Sequence, residues 1–175
     1  MTAFIPGLPQ PGEYHPAFAA YIGKAQSFAD PVEKLKDQID DVLRVLRPLD
    51  AAMRLYRYAP GKWSVQEMLG HIIDAERIFA YRALRIARAD QTPLASFEEN
   101  DYVVAAQAER CDWSELLAEF EHVRRSSVLL LQHLPESSWV RTGTANNAPI
   151  SVRALAYIMI GHVAHHLGVL RERYL

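Results

Sequence analysis

The segment GHVAHH near the end of the sequence holds three histidines within five residues, at His162, His165 and His166. Residues four apart in an α-helix lie about 40° apart around its axis and one turn apart along it, so the rings of His162 and His166 can reach one point. This is the spacing of two ligands of one metal ion. His165 points about 60° to the other side of His162. We interpret it as a residue beside the ligands or on the surface, and the alternative that it replaces His166 as a ligand stays open.

A third histidine lies on the apolar side of an earlier helical segment, MLGHIIDAE. His71 follows Met68 by three residues and precedes Ala75 by four, which places it on the side that faces a bundle interior. Three neutral imidazoles buried together would leave ring nitrogens without partners, and protonating them would place like charges side by side. A divalent cation removes both problems. The sequence therefore predicts a metal site formed by His71, His162 and His166, against the alternative that each histidine fills a separate, satisfied polar position in the core.

The predicted site has open coordination positions. Three nitrogen ligands leave room for water or substrate, whereas a closed structural zinc site takes a fourth protein ligand, commonly cysteine. Cys111 is the only cysteine and lies in a predicted loop. Because imidazole binds several transition metals, we favour zinc or nickel and keep iron or manganese as alternatives. A zinc-protease motif is excluded, since Val163 and not glutamate follows His162.

No residue is identified as catalytic from the sequence, and three are kept as candidates: Asp74, His165 and Tyr102. Asp74 lies one turn after His71 and could orient an imidazole through its second ring nitrogen. Tyr102 belongs to the long connection 90–111, which we interpret either as a lid over the site or as a plain crossover between helices.

Two charged residues that follow His71 receive structural interpretations. Glu76 is predicted to point away from the site, into solvent. Arg82 stands eleven residues after His71, close to the same helix face and about 16 Å further along the axis. We favour a structural role, in which Arg82 forms an ion pair that completes the core. The alternative is that its charge binds a substrate carboxylate.

Four segments with helical periodicity position these residues, over about 31–48, 64–89, 112–134 and 151–173. Each segment is preceded by a residue type that caps helices, namely Asp30, Ser64, Asp112 and Ser151. No segment has a convincing strand pattern.

The lengths of the connections predict the topology. The proline-rich residues 1–29 are expected to form an extended arm. The long connection at 90–111 can return the chain so that the third helix runs parallel to the second. We therefore predict an all-α, four-helix bundle with up-down-down-up topology, in a single domain spanning 1–175. This order places the start of the second helix beside the end of the fourth, where the three imidazoles would converge.

Composition narrows the function classes. Half of the 175 residues are hydrophobic, enough for a sizeable core, and the net charge of −2 disfavours nucleic acid and anionic membranes as partners. A single cysteine precludes an intrachain disulfide. The N-terminal residues lack a signal-peptide pattern, and no run of apolar residues is long enough to span a membrane. A cytoplasmic location is predicted.

The sequence resembles the DinB-like proteins, also described as YfiT-like metal-dependent hydrolases, over nearly its whole length. The resemblance is carried by GEYHPAFAAYIGKA in the arm, by KWSVQEMLGHIIDAER, and by the C-terminal segment from GTANNAPIS to the end. It implies a four-helix bundle in up-down-down-up order, often dimeric, with metal ligands at the positions of His71, His162 and His166. A homodimer is accordingly expected.

The same resemblance implies a choice of chemistries. Some relatives are thiol S-transferases that join low-molecular-weight thiols to electrophiles, and the hydrolase description rests largely on the metal site. The leading hypothesis is a metal-dependent hydrolase or thiol S-transferase that activates water or a thiol and acts on a small molecule. The alternative is a stress-associated binding or interaction module in which the metal is structural or incidental.

Overall fold

The computed structural model of the protein describes residues 4–175. Four long helices form its framework: α2 (Pro31–Leu46), α4 (Val65–Ala87), α6 (Trp113–Gln132) and α8 (Val152–Arg173). Four short helices lie between or before them: α1 (Ala19–Ala25), α3 (Ala51–Leu55), α5 (Glu99–Ala106) and α7 (Glu136–Trp139). Two strands, β1 (Thr142–Ala145) and β2 (Ala148–Ser151), form an antiparallel hairpin directly before α8. None of the helices among residues 4–175 is long and apolar enough to cross a membrane.

Local sequence fixes where the long helices begin. The Ser64 side chain accepts a hydrogen bond from the Glu67 amide, and the Glu67 side chain accepts one from the Ser64 amide, a complete capping box. The side chains of Asp30, Asp112 and Ser151 occupy the equivalent position before the other three long helices, and each accepts hydrogen bonds from backbone amides of the first turn. The capping residues read from the sequence therefore set the start of every framework helix.

Contacts at the helix ends establish the directions of α4, α6 and α8. The Tyr174 hydroxyl, at the end of α8, donates to the Trp63 carbonyl just before α4 at 2.7 Å, so these two helices are antiparallel. Gln66, at the start of α4, donates to the Cys111 carbonyl just before α6 at 2.9 Å, so α4 and α6 are parallel.

The direction of α2 follows from its contacts with α8. Tyr157, near the start of α8, donates to the Phe28 carbonyl just before α2 at 3.1 Å, and Gln38 in the middle of α2 donates to the Ile160 carbonyl at 2.9 Å. These two helices are therefore parallel. The predicted four-helix bundle with up-down-down-up order is confirmed.

The arm and the connections contain structure that periodicity did not reveal. The strand pair was not predicted, because strands of four residues are too short to display an alternating pattern. Its turn residues, Asn146 and Asn147, have φ of 51° and 58°, the left-handed conformation that two-residue hairpin turns require and that asparagine tolerates. The prediction of an extended arm is wrong for residues 16–25, which form a short 3₁₀ turn followed by α1, and residues 1–3 of the predicted arm lie outside the described residues. The helix α1 packs against α8, and within the connection 90–111 the residues of α5 form two turns of helix.

The core consists of two apolar clusters, stacked along the bundle. On α2 they are separated at Gln38, and on α6 they are separated between Phe120 and Val128, where Arg124 is fully buried. On α8 the division falls between Ile160 and Val163. A layer of polar residues thus crosses the middle of the bundle.

Candidate metal centre

The three predicted imidazoles meet inside this polar layer. His71 lies on the second turn of α4, and His162 and His166 lie one turn apart on the antiparallel helix α8. The Nε2 atom of His162 is 3.0 Å from that of His71 and 3.1 Å from that of His166. The exposed fractions of His71, His162 and His166 are 4%, 4% and 8%. Three ring nitrogens therefore face one another in a nearly solvent-free space.

Hydrogen bonds among the three rings cannot satisfy these nitrogens. The Nε2 atom of a neutral imidazole carries either one proton or one lone pair in the ring plane, so His162 can make a well-directed hydrogen bond to only one of its two neighbours. The other close contact is then either poorly directed, with two donors sharing one lone pair, or places like groups face to face, which is costly in a buried position.

The same geometry suits a metal ion. With metal–nitrogen distances of about 2.0–2.1 Å and angles of about 90–109° at the ion, neighbouring ligand nitrogens lie about 2.9–3.4 Å apart. The two measured separations, 3.0 and 3.1 Å, fall inside this interval. All three residues offer a ligand atom, and these atoms lie within 4.8 Å of one another. The residues present therefore fit a divalent ion.

Electrostatics keep the cluster in the form that a metal requires. Burial lowers the pKa of His71 to about 4 and that of His166 to about 3. The pKa of His162 is lowered well below its usual value, first by burial and then by its two histidine neighbours. All three rings are therefore neutral at pH 7, with lone pairs available for coordination.

Aromatic side chains hold the rings in place. The Trp63 ring lies 4.7 Å from that of His71, while Tyr21 and Phe79 make edge-on contacts with His162 at 5.5 and 5.7 Å between ring centroids. Tyr21 reaches this position because α1 approaches α8 at Gly161, where a Cβ atom would lie only 2.0 Å from the Tyr21 carbonyl oxygen. Glycine at this position allows the arm to form one wall of the site.

A cavity of about 310 Å³ opens onto the cluster at His71 and His162. Its buried floor is a stripe of α4 that runs from His71 through Ala75 and Phe79 to Arg82. The remaining walls come from α1, from the hairpin turn and from residues 96–99 of the connection 90–111. Part of the connection 90–111 therefore forms a wall of the cavity.

Comparison with protein families identifies the family of this chain. A family model described as the DinB superfamily matches residues 25–170. The chain belongs to the DinB superfamily. Its fold is similar to that of YfiT from Bacillus subtilis, which is described as a probable metal-dependent hydrolase with an unusual four-helix bundle topology. The TM-score is 0.69 over 94% of this chain and 89% of that chain, at 16% identity, so the likeness shows the fold alone. Comparison with curated proteins gave no match.

The three candidate catalytic residues of this DinB-superfamily chain differ in their distance from the cluster. His165 packs its ring 5.1 Å from that of His166 and 5.6 Å from that of Tyr21, and its ring nitrogens are not part of the three-histidine group. Asp74 faces Arg77, 3.8 Å away, and makes no hydrogen bond to the imidazoles. Tyr102 is exposed and packs against Phe97, outside the cavity lining. Of the three, only His165 touches the cluster.

Two interpretations of charged residues are wrong. Glu76 was expected in solvent, yet its exposed fraction is 2% and its carboxylate lies 3.1 Å from the guanidinium of Arg124. The helix face was misjudged because α6 and α8 pack against two sides of α4, which leaves a narrow solvated face. Arg82 was expected to form an ion pair, but it pairs with no carboxylate among residues 4–175.

One polar group of the core was missed entirely. Arg124 also donates to the Gln38 side chain at 3.1 Å, and Gln38 in turn donates to the Ile160 carbonyl, two residues before His162. A signal existed in the sequence, because Arg124 follows Phe120 by four residues and precedes Val128 by four, on the apolar side of its helix. A charged residue in such a stripe indicates a buried partner on a neighbouring helix.

Proposed function

We propose that the chain is a metal-dependent enzyme of hydrolase or thiol S-transferase type that acts on a small molecule. A divalent ion would be held by the Nε2 atoms of His71, His162 and His166. The observation that carries the proposal is the pair of contacts at His162, which hydrogen bonding cannot satisfy together and coordination can. Membership of the DinB superfamily and the fold shared with YfiT support it.

When bound, the ion would supply Lewis acidity, which lowers the pKa of water toward about 7 or that of a thiol below about 8.5. The chain's own residues supply the surroundings. The edge-on rings of Tyr21 and Phe79 and the Trp63 ring keep water away from the imidazoles and hold their orientation. Because the three ligands are neutral, they would leave the charge of the ion undiminished.

The cavity supports a small-molecule substrate. A space of about 310 Å³ is at the lower end of the range for small-ligand sites, and it reaches the cluster at His71 and His162. Zinc and nickel are the metals we favour for three imidazole nitrogens, with iron or manganese as alternatives. His165, in contact with His166 and only half-buried, is the residue we propose for proton transfer next to the ion.

Metal content tests the proposal first. Protein purified without a polyhistidine tag is expected to contain about one divalent ion per chain by elemental analysis, since three ligands on one cluster define a single site. Added zinc, nickel or manganese should raise the melting temperature of metal-free protein, because the ion binds the folded state alone. Protein that contains no metal and gains no stability from any of these ions would contradict the proposal.

Activity tests the enzyme class. The metal-loaded protein should either hydrolyse members of an ester and amide panel or join a low-molecular-weight thiol to an electrophile such as monobromobimane. Removal of the metal should abolish that activity, and His122→Gln, an exposed substitution on α6, serves as the matched control that retains it. A protein that binds metal stably and is inert in both panels would instead favour the binding-module alternative.

A further inference from the structure

A buried cation without a counter-charge lies at the end of the cavity floor. The exposed fraction of Arg82 is 4%, and its Nε atom is buried without a hydrogen-bond partner among residues 4–175. Only one of its donors is engaged, Nη2, which donates to the Ala95 carbonyl at 2.7 Å. Burial lowers the pKa of Arg82, and no charged group offsets that effect. A charge in this position is costly unless an anion joins it.

The other arginines of the same helix behave differently. Arg77 pairs with Glu119 at 2.7 Å, and Arg85 pairs with Asp90. The fully buried Arg124 of α6 has Glu76 beside it. Arg82 alone among these four is buried and faces no carboxylate within the described part of the chain, residues 4–175. The missing counter-charge is therefore specific to the position that borders the cavity.

The position of Arg82 matches a substrate-binding role. It lies about three helical turns from His71, on nearly the same face, and its side chain tilts toward the helix N-terminus and thus toward the cluster. Ala75 and Phe79 line the floor between the two residues, and the Phe97 ring lies 5.9 Å from the guanidinium. The cavity thus has an imidazole end, an apolar middle and a cationic end.

We propose that Arg82 binds the carboxylate of an elongated, partly apolar small-molecule substrate whose reacting group lies at His71 and His162. A guanidinium presents paired donors that match the two oxygens of a carboxylate. Glu98 and Glu99 also line the cavity, but both are exposed, whereas Arg82 is buried. They disfavour an anion beside them and leave the carboxylate to the buried guanidinium. This inference rests on the proposed function only for the identity of the reacting end.

Ligand binding measures the role of Arg82 without any turnover. The probe is 3-phenylpropionate, and 3-phenylpropionamide is its neutral analogue. Each is titrated calorimetrically into the full-length protein. Arg82→Gln is expected to weaken binding of the carboxylate roughly tenfold or more while leaving that of the amide unchanged, because a charge-assisted pair is lost. Arg77→Gln, which removes an exposed arginine from the same helix, is the matched control and should bind both probes as the wild type does.

A carboxylate could also bind a metal, so the titration is repeated in His162→Ala. Binding that persists there and is lost in Arg82→Gln assigns the anion site to Arg82, whether or not the metal proposal holds. Equal affinity of the wild type and Arg82→Gln for the carboxylate would overturn the inference and leave the metal proposal standing. Tighter, Arg82-dependent binding of phenyl phosphate would overturn the choice of a carboxylate.

A purely structural role makes a different prediction. If Arg82 only tethers the connection through the Ala95 carbonyl, Arg82→Gln should lower the melting temperature and leave probe binding intact. The substrate-binding role predicts the reverse, since an unpaired buried charge is removed. Should Arg82→Gln fail to fold, Arg82→Lys keeps the charge without the paired donors and is expected to bind the carboxylate several-fold more weakly. Unchanged affinity in that variant would equally overturn the inference.

Discussion

Two polar clusters occupy the middle of the same bundle and differ in whether opposite charges or like groups face one another. In the first, Arg124, Glu76 and Gln38 join opposite charges and a hydrogen-bonding amide, and the group is closed off from solvent. In the second, three histidines of the same chemical type face one another and border a cavity. The difference teaches that burial alone does not mark a functional site. The functional candidate is the cluster whose like groups lie beside a cavity without an oppositely charged partner.

His162→Ala is expected to distinguish the roles of the two clusters most clearly, because it should affect metal binding far more than stability. Removal of the central imidazole should lower the affinity for zinc by more than roughly 100-fold, beyond the effect of losing a group that only supports a ligand. The stability of the metal-free protein should change far less, since a strained contact disappears with the ring. Calorimetric zinc titrations and urea unfolding of the same samples measure both quantities.

His165→Ala is the matched control for that substitution, because it removes a neighbouring imidazole from the same helix. It should keep zinc affinity close to that of the wild type, because His165 packs its ring against that of His166 and does not belong to the three-histidine group. A strong loss of zinc binding in His165→Ala together with retained binding in His166→Ala would instead show that His165 is the ligand.

Substitution in the cluster of Arg124, Glu76 and Gln38 should instead lower stability and leave metal binding unchanged. Arg124→Met leaves the Glu76 carboxylate buried without its partner and is expected to lower the free energy of unfolding by about 3–5 kcal/mol. Zinc affinity should remain near that of the wild type. The double variant Glu76→Leu with Arg124→Met should regain most of the lost stability, as measured by urea unfolding. Loss of zinc binding in the double variant would show that the ion pair positions the histidines.

Acidification should affect the histidine cluster of the metal-free protein in a defined pH window. Histidines of the unfolded chain titrate near about 6.5, whereas burial lowers the pKa of His71 to about 4 and of His166 to about 3. Between these values the unfolded state binds more protons. The free energy of unfolding should therefore fall as the pH is lowered from about 6.5 toward about 4, by up to about 1.4 kcal/mol per pH unit for each group.

Urea unfolding at several pH values in that window measures this loss. The combined variant His71→Gln with His166→Gln should lose a large part of the pH dependence, while the exposed substitution His122→Gln should keep it. An unchanged pH dependence in the combined variant would contradict the assignment.

The smallest expected effects concern two glycines of α8. Gly161→Ala places a Cβ atom 2.0 Å from the backbone oxygen of Tyr21, so α1 must move, at a cost of about 1–3 kcal/mol. Gly168→Ala meets no atom within 4 Å and should stabilise the helix by up to about 1 kcal/mol. Thermal unfolding compares the two variants. Equal melting temperatures of the two variants would contradict the close contact between α1 and α8 at Gly161.

Local sequence signals explain which parts of the fold and of the candidate site could be predicted. Capping residues and the 3.6-residue period identify the framework helices, and the histidine spacing predicted that three imidazoles would converge. Glu76 and Arg124 could not be interpreted from their own segments. Each depends on the register between two parallel helices, which only the folded connection defines. The hairpin escaped prediction because its signal was confined to the turn residues Asn146 and Asn147.

The histidine cluster joins residues that are distant along the chain. His71 and His162 are 91 positions apart, and they meet only after α8 has packed against α4. Because closing so long a loop costs entropy, we expect the cluster to form late in folding. A metal ion should therefore leave the folding rate nearly unchanged and slow unfolding, as stopped-flow measurements with and without zinc would show. Bound metal would thus report that the whole bundle has assembled.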